Sequence, residues 1–86
     1  MRESLLIFAN DMEKELEEND HKGGWENSGM DYLTERLLVN IDHLDELFKT
    51  FFLKIEDYGS LIDCQRKNLI DIANYCMMIY DNLRNK

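Results

Sequence analysis

The chain has 86 residues, no proline and a formal net charge of −8. That length allows one domain, and a chain so short leaves much of its surface in water, so its own core is marginal and association is a common remedy. The acidity argues against binding nucleic-acid phosphates, which takes basic clusters, and the absence of proline beside abundant Leu, Glu, Lys and Met points to an all-α fold.

Leu5, Phe8, Met12 and Leu16 fall three and four apart, which predicts a helix over about 3–18 with one apolar face. Its apolar run, residues 5–9, is too short for a signal peptide or a membrane span, and acids follow at once. No membrane contact and a cytoplasmic location are expected. The acidic stretch 13–20 reads as a solvated face. From 19 to 30 the pattern breaks into turn chemistry, "NDHKGGWENSGM", around the chain's one tryptophan. Two roles suit this loop. Trp25 either lies over one end of the bundle as a packing element, or borders a ligand cleft.

A second helix is expected over about 31–57. Leu37, Ile41, Leu44, Phe48, Phe51 and Ile55 follow a 4-3-4-3-4 spacing. Leu47 and Phe52 widen that arc beyond what one partner helix covers, so a homo-oligomer, most simply a dimer pairing the second and third helices, should complete the bundle. "DYGS" at 57–60 reads as the helix end, with Gly59 a left-handed cap. A third helix follows over about 61–83, faced by Leu69, Ile72, Cys76, Ile79 and Leu83, and pairs antiparallel with the second. Residues 81–86 should fray. Cys64 and Cys76 form no Cys-x-x-Cys pair and no zinc spacing, so they read as reduced, partly buried thiols.

The polar residues beside these stripes carry the candidate site. With Leu44 at the centre of the second helix, Asn40 lies roughly 40° and His43 roughly 100° to one side. With Ile72 at the centre of the third, Asn68 and Asp71 lie roughly 40° and 100° to the same side. Antiparallel pairing turns all four toward one boundary cleft.

Three stretches, "HKGGWEN", "YLTERLLVNIDHLDEL" and "NLIDIANYCMMIYDNL", resemble the small MazG-like members of the all-α NTP pyrophosphatases, of the kind often found in phages. The resemblance covers about residues 8–84. It implies a helical bundle in which four carboxylates hold magnesium and a metal-bound nucleoside triphosphate is split by water into monophosphate and pyrophosphate. Matched position by position, the family's E-x-x-E falls on Asn40 and His43, and its E-x-x-D on Asn68 and Asp71. One acid of four is kept. Mg²⁺ demands hard, charged oxygen ligands in octahedral array, and imidazole suits softer metals. Asp42 and Glu46 lie on the far face of their helix and Asp45 on the opposite flank, so none fills the vacated positions. The expectation is therefore a non-catalytic MazG-like binding or regulatory protein, without a metal or cofactor. It would act by protein contact, as a phage-type acidic inhibitor or adaptor on a partner with a basic surface. The resemblance adds Lys22, Trp25 and Arg36 as candidate nucleotide contacts. The competing expectation is a pyrophosphohydrolase with a rebuilt Mg²⁺ site.

Overall fold

Three helices and no strand make up the described part of the chain: α1 over Glu3–Glu18, α2 over Met30–Leu53 and α3 over Tyr58–Arg84, with a 3₁₀ turn at Trp25–Asn27 before α2. The computed structural model describes residues 1–19, 24–53 and 58–86, and side chains within 1–19, 24–49 and 59–86. The all-α expectation holds. Local chemistry sets the helix ends. The Arg2 carbonyl accepts from the Leu5 and Leu6 amides at 3.1 Å each, and Glu3 places a carboxylate against the positive end of α1. At the other end the Asn19 side-chain amide donates to the Glu15 carbonyl at 2.9 Å, satisfying a terminal acceptor. Asp31 in the first turn of α2 and Arg84 in the last turn of α3 match the helix dipole in the same way.

Cross-helix contacts fix the topology. Asn40 meets Asn68 and Arg36 meets Tyr75, so α3 descends as α2 ascends. Likewise Asn74 bonds the Met12 carbonyl and Lys67 bonds Glu15, so α1 also runs antiparallel to α3. The two outer helices pack on α3 and not on each other among the described residues. Since α1 and α2 run the same way, the connection between them is a return crossover rather than a tight turn, which is why the Gly- and Asn-rich segment is needed between two good helices.

Several sequence expectations need correction. Gly59 lies inside α3 and is not the cap of α2; residues 54–57, between the two helices, lie outside the described residues. Residue 81 is not in a frayed end, because α3 continues to Arg84 and the Asn85 amide still bonds the Asp81 carbonyl at 3.2 Å. Both cysteines are exposed rather than partly buried. The apolar stripes are split. Leu33 and Ile70 are the buried apolar residues among those described, while Leu5, Phe8, Ile41, Phe48, Leu69 and Leu83 are exposed. Gln65, Asn68 and Asn74 are buried in their place. Phe51, Phe52 and Ile55 lie outside the described side chains.

No described helix is long and apolar enough to cross a membrane.

Candidate functional site

The gap between α1 and α2, floored by α3, is a cavity of about 440 Å³. Each helix offers it one row of side chains. Tyr32, Arg36 and Asn40 come from α2 at four-residue spacing, which stacks them on one helix face. Glu15, Leu16 and Asn19 come from the last turns of α1, and Lys67, Asp71, Asn74, Tyr75 and Met78 from α3. Gly24, Trp25 and Ser28 close one end.

Trp25 is held to the C-terminal part of α3. Its indole N–H donates to Asp81 Oδ2 at 3.0 Å, and its carbonyl accepts from Asn82 Nδ2 at 3.3 Å. Asp81 also takes Arg84 Nη2 on Oδ1 at 2.6 Å. The hydrogen bond from Arg84, then that from Trp25, holds the Asp81 carboxyl below its ordinary pKa against the opposing effect of desolvation. Gly24 has φ −83°, which any residue adopts, and among the described residues the only group near its would-be Cβ is the movable carboxylate of exposed Glu26.

The floor carries an ion triad. Lys67 Nζ lies 2.7 Å from Glu15 Oε1 and 3.1 and 3.0 Å from the two oxygens of Asp71. Desolvation works against the ammonium, but hydrogen bonds to Glu15 and Asp71 outweigh it and raise its pKa. Lys67 was not a sequence candidate. Half of the triad was legible as a Lys67/Asp71 pair four apart on one helix; Glu15, fifty-two positions away, was not.

Of the four positions matched to the metal motif, three meet at this place. Asn68 is 3% exposed and donates to Asn40 Oδ1 at 3.2 Å. Asn40 in turn donates to the Arg36 carbonyl at 2.8 Å. Asp71 lines the cavity with Asn40. His43 is exposed and does not line it, because the four-residue row Tyr32, Arg36, Asn40 continues to Leu44, not to His43. Arg36 faces Tyr75, and that hydrogen bond raises its pKa; it carries no ion pair among the described residues. Lys22 lies outside the described residues.

Tested against Mg²⁺, this donor set does not fit. Glu15 and Asp71, the cavity's carboxylates, are both taken by Lys67. Asn40 spends its amide N–H on Arg36 and its carbonyl oxygen on Asn68. Asn68 Oδ1 and Asn74 Oδ1 are buried without a partner among the described residues, but they are neutral oxygens and give no charge to hold a cation that dehydrates reluctantly. Among the described residues no three His, Cys, Asp or Glu side chains cluster closely enough to hold a metal. The cavity offers instead two cationic groups, Arg36 and Lys67, flanked by three aromatic rings. No family model matches the chain, and no curated protein or solved structure does.

Proposed function

We propose that this chain is a non-catalytic binding protein on a MazG-like frame, in which a lysine has taken over the charge balance that the resembling family assigns to metal. The observation that carries the reading is the Lys67 ammonium seated between Glu15 and Asp71. This half-exposed ammonium neutralises the remaining acids without a metal and repels a dication from the same place. In this reading the protein works by contact in the cytoplasm, as an oligomer, on a partner whose basic surface complements its net charge of −8. The cavity keeps the ability to hold a ligand with an anionic group and a flat ring. Arg36 meets the anion as a bidentate donor, and Trp25 and Tyr32 supply aromatic surface.

The test pairs calorimetry of Mg²⁺ binding with pyrophosphate release from the common nucleoside triphosphates in Mg²⁺ or Mn²⁺. No Mg²⁺ binding and no release are expected. Tight Mg²⁺ binding, or release lost in Asp71→Asn, overturns the reading in favour of a hydrolase with a rebuilt site. Nucleotide added without metal should shift Trp25 emission, and Arg36→Ala should abolish that shift.

A further inference from the structure

The charges of the cavity fall on two sides. On its α3 floor, Lys67 bridges Glu15 and Asp71. One cation against two carboxylates leaves that triad with a net negative charge. On its α2 wall stands Arg36, which meets the Tyr75 side chain and carries no ion pair among the described residues. A guanidinium has five N–H donors, so most of its fork stays open. The wall is positive, the floor is negative, and the two cancel. A polyphosphate brings several negative charges to such a place, in a chain whose net charge is −8, and like charges repel. A zwitterion brings one charge of each sign.

The polar and aromatic lining adds to the match. Asn74 is 3% exposed and lines the cavity. Its Nδ2 is spent on the Met12 carbonyl at 3.2 Å, and its Oδ1 is buried without a partner among the described residues. A buried acceptor left unmet is costly. The amide torsion is soft, and a small swing presents Oδ1 to a donor in the cavity. One turn earlier on α3, each oxygen of Asp71 accepts from Lys67, and a carboxylate keeps further lone pairs for a second donor. Toward the end closed by the 3₁₀ turn, Trp25 and the exposed Tyr32 offer ring surface. The volume of about 440 Å³ lies near the lower end of small-molecule sites, roughly 300–1,000 Å³.

We propose that the cavity binds a free aromatic α-amino acid as its zwitterion. Arg36 takes the carboxylate as a bidentate donor, Asp71 and Asn74 Oδ1 accept from the ammonium, and the ring lies against Trp25 and Tyr32. The proposal rests on the binding reading above and names the ligand class for the same site. Unlike Mg²⁺, an ammonium needs no vacated carboxylate, because it adds to the hydrogen bonds that Lys67 already makes. Lys67 is itself exposed, so water screens the two ammonium groups from each other.

The full chain is titrated with L-phenylalanine, which leaves Trp25 emission readable, and both that emission and the heat of binding are followed. Saturable binding with a shift in emission is expected. N-acetyl-L-phenylalanine lacks the positive charge and L-phenylalanine amide lacks the negative one. Each should bind about tenfold more weakly or worse, the loss of a charge-assisted hydrogen bond. L-leucine, without a flat ring, and adenosine monophosphate, a dianion, should also bind more weakly than L-phenylalanine. Arg36→Ala should erase the preference for L-phenylalanine over its amide, and Asp71→Asn the preference over the N-acetyl form. If a variant fails to fold, the ligand series on the wild type still decides. No binding of L-phenylalanine at millimolar concentration overturns the proposal. So does equal binding of the N-acetyl form, or tighter binding of adenosine monophosphate. Those outcomes leave the non-catalytic reading standing, since that reading fails on a different measurement, Mg²⁺ binding or pyrophosphate release.

Discussion

The two sides of the α2–α3 hairpin reverse the usual distribution of residues. On the closed side, polar groups are buried: Asn68 and Asn74 are each 3% exposed, and an exposed Lys67 bridges α3 to Glu15 of α1 beside them. On the open side, Ile41, Phe48 and Leu69 stand in water. Burying a polar group is unfavourable unless it is hydrogen-bonded, and exposing an apolar one forgoes the main driving force of folding. A chain optimised as an isolated monomer would rotate its helices to exchange the two sets. The closed side keeps a ligand-sized polar cleft, and the other side leaves apolar side chains uncovered among the described residues.

The largest expected effect lies at the inner seam. Leu33 is 1% exposed, and Leu33→Ala should lower stability by about 2–5 kcal/mol in denaturant titration. A loss below about 1 kcal/mol would mean that the single-chain core contributes little and that stability resides in association.

Next comes the amide pair. Asn68→Ala or Asn40→Ala alone should each cost about 1–3 kcal/mol, because each strands a partner. Asn40→Leu with Asn68→Leu should be close to neutral or stabilising, since both polar groups leave together. A double variant as destabilised as the sum of the singles would show that the two side chains are not coupled and that their hydrogen bond contributes little.

The triad bears on metal binding more than on stability. Asn40→Glu with Asn68→Glu should gain little Mg²⁺ affinity while Lys67 remains; adding Lys67→Gln should release Glu15 and Asp71 and raise that affinity in calorimetry. Equal affinities with and without Lys67 would remove its assigned role. The pH dependence has a definite sign. The folded-state pKa of Lys67 is raised, so its stabilising effect is fully present below the ordinary lysine pKa and is lost as pH rises through the folded value, in strongly alkaline solution.

The smallest effect is at the strap. The pKa of Asp81 is lowered by Arg84 and Trp25. Its contribution is present above the ordinary aspartate pKa and lost as pH falls through the depressed folded value. Emission from Trp25, the one tryptophan, should therefore shift only in strongly acidic solution, and Asp81→Asn should flatten that transition. An unchanged transition in the variant would separate Trp25 from Asp81.

Periodicity and composition alone determined that the described chain is built from three helices without strands, because helix-forming residues and three-and-four spacing are local properties, and the short separation of the second and third helices set their antiparallel pairing. The same spacing put Asn40, Asn68 and Asp71 on matching flanks, which the fold brings to one place. It did not distinguish Ile41 from Leu37, or Leu69 from Ile72. All four sit on apolar stripes, and which half of a stripe is covered depends on where the neighbouring helix lies. Only the tertiary structure decided that α1 and α2 flank α3 in parallel, that Glu15 meets Lys67 from fifty-two residues away, and that Asp81 anchors Trp25 instead of fraying. These are contacts between distant segments, set by the packing of whole helices on one another, and local residue pattern carries no record of that geometry.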